Sequence, residues 1–540
     1  MRKIGQCVDH LHPLNQDKEA VRGRDVAKET GSASQAAMPG LRILLLVFAG
    51  YFLLQAINRG LISETLGMDD AQESLLAQKW SWGYGPQPPL YTWLVIIFLD
   101  IFGLSSFTMA LLKNALLFGI YLLTYFIARR MTRSHLAAVA AAVALQFMPS
   151  IAYEAHRELT HSILASFMVL VTLLAFLRLQ ESDKEGPPPR QGGVLPSASG
   201  HYLLLGVLGG LGMISKYNYS IFYVALFLAA LSLKSWRPVV LNIRAAGALV
   251  ITLLILAPNL LLIRNHPDMA FSSAGKLDID PTHSFKSMVH GVGSWASTCL
   301  DQAGILVLIF VLLCWREFFA RRSNPELQPV PAGLNIHSNG VRLLLRMFLF
   351  SSLIIVLGII ISGATNCRNR WLQPLVVPMP ILIVAIFQKH LNWRCFIIIS
   401  VLAAIVAVGV TIGAPGRVLL TERLGKVEGL NMPYKGLARQ IAKPLANVSM
   451  IYCADTAMAG NLRVWFPDKA ITAFGVAKLY PPEPRCALVW DASVNRASAF
   501  VSQASVLTGN PPEEAVYFEE PLKYHRVKTM RLGVLTAPAR

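Results

Sequence analysis

The sequence predicts a polytopic α-helical membrane protein with about eleven spanning helices and a small C-terminal α/β domain. Charged residues make up only 15% of the 540 residues and hydrophobic residues 54%, whereas soluble domains carry about 25% charged residues. The mean hydropathy is +0.48. The apolar residues are gathered in runs of roughly 17–25, which is long enough to cross the hydrocarbon core of a bilayer.

Eleven apolar runs are predicted to span the membrane. A further run, Leu90–Phe102, is shorter and is typical of a re-entrant or interfacial helix. The predicted spans are Leu41–Ile57, Phe107–Arg129, Leu136–Ile151, Ser162–Leu177, Tyr202–Ser215, Ser220–Leu233, Val239–Ile263, Ile305–Phe319, Leu343–Ile361, Leu372–Phe387 and Phe396–Ile412.

These spans divide the chain into three parts. Residues 1–40 are polar, contain no apolar segment with a cleavage site beside it, and are expected to form a disordered cytoplasmic tail. Residues 41–412 are the membrane domain. Residues 413–540 are expected to form an α/β domain. Its predicted strands are Ser449–Ala454, Ala470–Phe474, Ala487–Trp490 and Ala515–Phe518, and its predicted helices are Ala457–Phe466 and Ser493–Leu507.

Basic residues orient the bundle. Loops after alternate spans carry clusters such as Arg129, Arg130 and Arg133, and the positive-inside rule places these loops in the cytoplasm. The Pro/Gly-rich stretches 186–200 and 323–340 are then cytoplasmic linkers. The net charge of +18 is explained by this topology and by anionic lipid rather than by nucleic acid. An odd number of spans puts the C-terminal domain on the outer face.

The first outer loop contains the densest group of candidate site residues. Asp69 and Asp70 precede a short amphipathic helix, which leads to a turn rich in Trp, Tyr, Gly and Pro that includes Tyr84 and Gln87. A partly desolvated carboxylate at the membrane interface can act as a general base. Two carboxylates that simply cap a helix in water would give the same pattern.

Two further groups lie on the same outer face. Glu158 and His161, in the segment YEAHRELTHSIL, are spaced to share one side of a helix, where they would contact a polar substrate or, with another carboxylate, a divalent metal. Lys216 follows an apolar run, and Arg368 and Arg370 precede another. Such cations often only snorkel, but at this depth they also suit a lipid phosphate.

Some motifs are absent from the sequence, and their absence narrows the range of predicted functions. The sequence has no glycine-rich nucleotide-binding motif, so transport driven by a nucleotide is not predicted. No cysteine spacing indicates a structural zinc site. Cys453 and Cys486 in the C-terminal domain are either two separate buried thiols or a disulfide in an oxidising compartment.

The order of these motifs resembles a known family. An Asp-Asp pair follows the first span, the segment QPPLYTWL follows the pair, a Lys ends a later span, and RWLQP begins a late one. This order is similar to that of the GT-C glycosyltransferases of the protein O-mannosyltransferase and lipid A aminoarabinose transferase superfamily. The segments AHRELTHS and QPPLYTWL most resemble its galacturonosyltransferase-like branch.

The resemblance implies a GT-C-like fold and a polyprenyl-phosphate sugar donor, with Asp69 as general base and with Lys216 and Arg370 on the donor phosphate. The other candidate substrate-binding residues are Asp70, Tyr84, Gln87, Glu158, His161 and Arg368. Relatives often have a basic residue before the PPL turn, where this chain has Gln87, so a metal or phosphate role is not carried over to that position.

The resemblance further implies an inverting glycosyltransferase of a bacterial inner membrane that modifies lipid A or lipopolysaccharide core on the periplasmic side. Three alternatives stay open from the residues. One is a non-catalytic membrane scaffold with a sensing outer domain. A protein O-mannosyltransferase would use the same cavity with a peptide acceptor. A lipid-linked sugar transporter or flippase would use the same bundle, although its polar residues usually lie near the bilayer midplane.

Overall fold

The computed structural model describes residues 40–182, 198–270, 272, 274–323, 338–483, 486–493, 500–502, 506, 514–525 and 527–536. The predicted tail up to residue 39, most of both predicted linkers and most of the predicted helix Ser493–Leu507 lie outside these residues. Of the described residues, 40–51 belong to one unit, and those from Phe52 onward belong to a second unit that contains everything described below except the first half of helix α1.

The membrane part consists of helices joined by short connections. Their bounds are α1 (Gly40–Ile62), α2 (Met68–Leu76), α3 (Leu90–Phe102), α4 (Ser106–Thr132), α5 (His135–Val143), α6 (Ala155–Arg157), α7 (Thr160–Ser182), α8 (Ala198–Met213), α9 (Tyr219–Ser232), α10 (Arg237–Val240), α11 (Ile243–Asn265), α12 (Pro267–Ala270), α13 (Phe285–Ser323), α14 (Asn339–Ser362), α15 (Asn369–Val376), α16 (Met379–Phe387) and α17 (Trp393–Leu419).

Within the described residues, seven helices are long and apolar enough to cross a membrane, or up to nine if each of two bent pairs counts as one span. The predicted fold class is confirmed, but the predicted number of about eleven spans is not. Two predicted spans correspond to the shorter helices α8, with 16 residues, and α9, with 14 residues. The predicted interfacial segment Leu90–Phe102 is helix α3, with the same bounds.

Both bent pairs break at proline. The helical segments on either side of Pro149 meet at 74°, and those on either side of Pro378 meet at 45°. Proline removes a backbone donor and clashes with the preceding turn, so it ends or kinks a helix. The predicted spans Leu136–Ile151 and Leu372–Phe387 are therefore not continuous helices.

The interior of the bundle is formed around α7 and a close pair of helices, α8 and α11. The apolar window of α7 is 78% buried, whereas that of α11 is 17% buried and so faces lipid along most of its surface. A Cβ atom at Gly206 would lie 2.7 Å from the Ala248 carbonyl oxygen, and one at Gly210 would lie 2.6 Å from Ile255. Small residues allow such close helix packing in membranes, where hydrophobic association between helices is weak.

The C-terminal domain begins after α17, which continues to Leu419 rather than ending at Ile412. It contains α18 (Tyr434–Ile441), α19 (Thr456–Trp465) and strands β1 (Met450–Cys453), β2 (Ala470–Ala473), β3 (Ala487–Asp491), β4 (Val516–Pro521) and β5 (Thr529–Leu535). The strand order is β2-β1-β3-β5-β4, with β2, β1 and β3 parallel and β5 antiparallel to both neighbours.

Cys453 and Cys486 are both free and buried. Cys453 lies in the hydrophobic cluster on one face of the sheet, together with Ile451, which is two residues earlier in β1. Cys486 lies in the cluster on the other face, with Met450 and Tyr452. Because alternate strand residues point to opposite faces, the two thiols are separated by the sheet itself. This arrangement corresponds to two separate buried thiols and not to a disulfide.

Candidate active site

Helix α2 carries two adjacent carboxylates in its first turn. Gly67 precedes it in extended backbone without a capping side chain, so Asp69 and Asp70 supply the negative charge that complements the helix N-terminus. Successive helical residues point about 100° apart. Asp69 consequently faces a cavity beside Arg370, whereas Asp70 is buried against the bundle. Glu73, four residues after Asp69, also faces the cavity.

The carboxylate of Asp69 is held in a defined orientation. Its Oδ2 accepts a hydrogen bond of 2.8 Å from the backbone N–H of Leu159. Leu159, which connects α6 to α7, has a φ of 75°, a left-handed conformation that is unusual for a large side chain. Such backbone strain is characteristic of functional sites. The other oxygen, Oδ1, lies 3.9 Å from Nη1 of Arg370.

Arg370 lies at the start of α15 and connects the separate parts of the site. Its Nη2 is 3.3 Å from Oε2 of Glu158. Its backbone carbonyl accepts hydrogen bonds from the Ser162 hydroxyl and from Lys216. With 40% of its side chain exposed, the guanidinium remains accessible to a ligand in the cavity.

Lys216 lies between α8 and α9 and is half-buried. Its Nζ donates to Ser162 Oγ at 2.5 Å and to the Arg370 carbonyl at 2.6 Å, and both acceptors are neutral. Among the described residues, no carboxylate lies within ion-pair distance of this nitrogen. Burial, together with the charge of Arg370, lowers the pKa of Lys216 to about 7, although Asp69 acts in the opposite direction. The charge of Lys216 is thus left without a direct counter-ion.

These side chains line a cavity of about 460 Å³, which we call the basic cavity. Its cations are Lys216, Lys276, Arg368 and Arg370, and its carboxylates are Asp69 and Glu73. Positive charge therefore exceeds negative charge at its wall, which favours an anionic ligand. The remaining lining residues are Met68, Gln72, Pro86, Gln87, Pro88, Leu159, Thr160, His161, Ser162, Tyr217, Asn218 and Trp371.

Glu73 and His161 form a buried pair in the wall of the basic cavity. His161 Nε2 is 2.8 Å from Glu73 Oε1, and Glu73 Oε2 accepts a hydrogen bond of 2.7 Å from Thr92 Oγ1. The ring of His161 also lies against that of Tyr91, with 5.2 Å between centroids. These contacts fix α2, α3 and α7 relative to one another at the height of Asp69.

The structure brings most of the sequence-predicted residues together and separates two of them. Asp69, Gln87, His161, Lys216, Arg368 and Arg370 line the basic cavity, and Glu158 contacts Arg370 from outside its wall. Asp70 instead forms a buried ion pair of 3.2 Å with Lys113 of α4. Tyr84 is 1% exposed, and its hydroxyl donates to the Lys79 carbonyl, so it packs against the C-terminal domain and not in the cavity.

A second cavity of about 340 Å³ lies on the other side of the first turn of α2 and shares Met68 with the basic cavity. We call it the amide-lined cavity, since Gln55, Asn58, Asn114 and Asn461 line it. Two of its four cations, Lys113 and Arg417, are paired with carboxylates, whereas Arg59 is held by neutral oxygens. Arg417 is 3.3 Å from Glu428, and Arg59 donates to the carbonyls of Ser63 and Thr65.

Sequence reasoning missed Glu73, Ser162 and Lys276 in the basic cavity. Glu73 had a usable signal, because it lies one helical turn after Asp69 and must share its face. Ser162 and Lys276 had none, since each depends on how distant segments meet. No group of three or more His, Cys, Asp or Glu side chains in the described part of the chain could hold a metal ion.

Comparisons with known proteins agree with this architecture. Residues 86–262 match the model of the family described as dolichyl-phosphate-mannose-protein mannosyltransferase. The lipopolysaccharide core galacturonosyltransferase RgtB of Rhizobium johnstonii is 31% identical over 436 residues, which cover 79% of this chain and 81% of that protein. The lipopolysaccharide core galacturonosyltransferase RgtA of the same organism is 27% identical over 437 residues, covering 78% and 80%.

Two solved structures share the fold. The crystal structure of ArnT from Cupriavidus metallidurans in the apo state has a TM-score of 0.56 at 14% identity, and the match covers 92% of this chain and 98% of that one. The same protein bound to undecaprenyl phosphate gives a TM-score of 0.54 with the same identity and coverage. At this identity the likeness establishes the fold alone. Since the match to RgtB is above 30% identity and covers most of both chains, this chain belongs to the GT-C glycosyltransferases, in the branch of the lipopolysaccharide core galacturonosyltransferases.

Proposed function

We propose that this glycosyltransferase transfers a sugar from a polyprenyl-phosphate donor to lipopolysaccharide core or lipid A on the periplasmic side of the inner membrane, with inversion at the anomeric carbon. The observation that carries the proposal is the position of Lys216. It is a cation without a direct counter-ion, in a cavity that also contains Arg370 and the carboxylate of Asp69. A ligand phosphate is the natural missing anion.

The donor phosphate binds between Lys216 and Arg370 in this proposal. The guanidinium of Arg370 is 40% exposed and 3.9 Å from Asp69, a distance at which it can turn toward a phosphate at little cost. Arg368 lies at the exposed rim, with its guanidinium 6.0 Å from the ring of Trp371. The ArnT structure with undecaprenyl phosphate supports the lipid class of the donor by analogy of fold.

The proposed chemistry is a single displacement. Asp69 takes the proton of an acceptor hydroxyl, the hydroxyl oxygen forms a bond to the anomeric carbon, and the bond from that carbon to the phosphate oxygen breaks. The polyprenyl phosphate leaves with the electron pair of that bond. Lys216 and Arg370 stabilise the negative charge that grows on the leaving oxygen, which is the largest contribution that a preorganised site can make.

The balance of charge supports an acidic sugar. One phosphodiester group carries one negative charge. Arg370 is paired with Glu158, but the other three cations of the basic cavity have no carboxylate partner among the described residues. A uronic acid would add the second negative charge, and Arg368 and Lys276 are the available partners. Both galacturonosyltransferase relatives transfer a sugar of this class by name. We therefore take galacturonic acid as the first donor sugar to test.

The acceptor is proposed to approach from the amide-lined cavity. The two cavities share Met68 in their walls. A hydroxyl group of an acceptor at that point would lie beside Met68, the residue that precedes Asp69 in the sequence. Side-chain amides offer both donors and acceptors, which suits the hydroxyl groups of a sugar. The cavity also reaches Ile62 of α1 and Pro415 of α17, both at the ends of apolar helices, as a membrane-anchored glycolipid would require.

The test is sugar transfer in membranes that carry the wild type, Asp69→Asn or a matched control. Polyprenyl-phosphate galacturonic acid is the donor, lipid A and lipopolysaccharide core are the acceptors, and the products are analysed by mass spectrometry. We expect one added uronic acid with the wild type and with Asp468→Asn, an exposed residue of the C-terminal domain, and none with Asp69→Asn. Transfer by Asp69→Asn at the wild-type rate would remove Asp69 from the mechanism.

The family description names protein mannosyltransferases, so one arm of the experiment supplies polyprenyl-phosphate mannose and a peptide rich in Ser and Thr. Mannosylated peptide without modified lipid would replace the proposed acceptor class. The two arms together also distinguish a transporter, because a flippase would form no glycosidic bond with either pair of donor and acceptor.

A further inference from the structure

Helix α2 is held along its length by one helix of the C-terminal domain, α19. At the start of α2, the Asn461 side chain accepts a hydrogen bond of 2.7 Å from the Leu66 N–H and donates one of 3.3 Å to the Leu66 carbonyl. Asn461 is only 2% exposed. A side-chain amide that pairs with both backbone groups of one residue fixes the chain there as a neighbouring strand would.

At the end of α2, Arg463 of α19 performs the equivalent function. Its guanidinium donates to the carbonyls of Ser74 and Ala77, in the last turn, where a helix has no internal partners for its carbonyls. The hydroxyl of Tyr480 donates to the Leu76 carbonyl at 2.8 Å. The C-terminal domain therefore caps the helix that carries Asp69.

In the middle of α2 the two helices touch through their backbones. A Cβ atom at Gly460 would collide with the carbonyl group of Ala71. The Ser74 hydroxyl also donates to the Gly460 carbonyl at 2.9 Å. Only glycine at position 460 allows this approach, so the distance between α19 and α2 is set by direct contact.

We propose that α19 is a positioning element for catalysis, in which Asn461 and Arg463 fix the place and rotation of α2 and, through it, the geometry of Asp69 against Arg370. This inference rests on the proposed role of Asp69. The Asp70–Lys113 pair also anchors α2 to helix α4, so α2 is held by both the C-terminal domain and the membrane part. A shift of about 1 Å at a reacting group can lower a rate about 100-fold.

The first test replaces Gly460 with alanine. Alanine raises the intrinsic helix propensity of α19, so the change should not weaken that helix, but the added methyl group must push α2 away. We expect kcat for sugar transfer to fall at least tenfold, while binding of undecaprenyl phosphate stays within about twofold of wild type. Gly413→Ala, at an exposed position of α17 where a Cβ has open space, is the control and should leave both quantities unchanged.

The second test uses Arg463, in case Gly460→Ala does not fold. Arg463→Gln should lower kcat at least fivefold without changing undecaprenyl-phosphate binding. Arg463→Lys, which keeps a charged donor for the carbonyls, should restore at least half of the rate. The control is Arg439→Gln, an exposed arginine on α18 of the same domain. All rates are expressed per site that binds undecaprenyl phosphate, so that loss of folded protein does not count as loss of kcat.

The outcomes separate this inference from the proposed function. Wild-type kcat in Gly460→Ala and Arg463→Gln, with no transfer by Asp69→Asn, would overturn the positioning role and leave the function intact. A parallel loss of kcat and of undecaprenyl-phosphate binding would also overturn it, since α19 would then support the whole fold. Transfer at the wild-type rate by Asp69→Asn would instead contradict the proposed mechanism.

Discussion

The two cavities beside the first turn of α2 each contain a lysine, and the two lysines have different partners. In the basic cavity, Lys216 donates to two neutral oxygens at 2.5 and 2.6 Å. Beside the amide-lined cavity, Lys113 lies 3.2 Å from the carboxylate of Asp70, and Arg417 lies 3.3 Å from Glu428. Lys113 thus has a direct counter-ion and Lys216 has none among the described residues, although Arg59 in the amide-lined cavity is likewise held only by carbonyl groups.

The difference indicates that the number of basic residues does not by itself identify an anion site. A cation that the protein has already neutralised contributes to the fold, and its removal leaves an unpaired buried partner. A cation held by neutral acceptors keeps its charge available for a ligand. Loss of a lysine's ion pair is therefore expected to lower stability near the amide-lined cavity, and loss of an unpaired lysine is expected to weaken ligand binding in the basic cavity.

The largest expected effect is on stability, from Asp70→Asn. The change leaves Lys113, which is only 3% exposed, without its carboxylate, and breaking a buried pair in this way costs about 3–5 kcal/mol. Thermal unfolding in detergent should show the loss. The double variant Asp70→Asn/Lys113→Met removes both charges and should recover most of it. If Asp70→Asn alone melts like the wild type, the pair does not anchor α2.

The next largest expected effect is on the rate of sugar transfer and comes from Lys216→Met. Removing one stabilising donor at a developing negative charge typically costs about 100- to 1,000-fold in rate. We expect a loss of this size in kcat/KM with little change in thermal stability, because Lys216 has no carboxylate to leave unpaired. Lys426→Met, at an exposed position, is the control. A large drop in stability with the rate per folded molecule preserved would contradict the distinction between the two lysines.

The pH dependence of kcat/KM for the donor tests the charge of Lys216 without any substitution of its side chain. The pKa of Lys216 is lowered to about 7 by burial and by Arg370, so its cationic form is present below this pH and is lost above it. The phosphodiester of the donor does not titrate in this range. We expect kcat/KM for the donor to fall up to about tenfold between pH 6 and 8, because each pKa unit corresponds to a factor of ten in protonation. Lys216→Arg should flatten the profile, since arginine stays charged.

Much of this arrangement was accessible from the sequence because hydropathy and charge act locally. The apolar runs located the helices, and the positions of Asp69, Lys216 and Arg370 at span ends predicted one polar face. The resemblance distinguished Asp69 as the general base, but the burial of Asp70 in an ion pair with Lys113 could not be predicted. It depends on the rotation of α2, which is set by its contacts with the bundle and the C-terminal domain rather than by its own residues.

The missed features have two physical origins. Strand β5 (Thr529–Leu535) was not predicted, and it pairs with β3, about 40 residues earlier in the chain. The breaks at Pro149 and Pro378 lie inside apolar runs that hydropathy reads as continuous. The Glu73–His161 pair joins residues 88 positions apart. The strand pairing and the Glu73–His161 pair depend on tertiary contacts, to which composition and periodicity are insensitive, whereas the breaks had a local signal in the two prolines.

The smallest expected effect concerns the amide-lined cavity and comes from Asn114→Leu. Asn114 is 5% exposed, and its Nδ2 donates to the Ala110 carbonyl at 2.9 Å. Its Oδ1 is buried and has no hydrogen-bond partner among the described residues, and the residue lines the cavity, so a small rotation of the side chain would let this oxygen accept from an acceptor hydroxyl. Leucine has a similar shape but cannot accept, so the loss should correspond to one hydrogen bond, about 0.5–1.5 kcal/mol.

We therefore expect the KM for lipid A or lipopolysaccharide core to rise about 2- to 12-fold in Asn114→Leu, which is the same free energy expressed as a ratio. The KM for the donor should not change, because the basic cavity is untouched. Thr124→Val, a buried polar-to-apolar change in the same helix and outside both cavity linings, controls for effects on α4 itself. A rise in the donor KM with an unchanged acceptor KM would reverse the assignment of the two cavities, since the amide-lined cavity would then be the one that binds the phosphate.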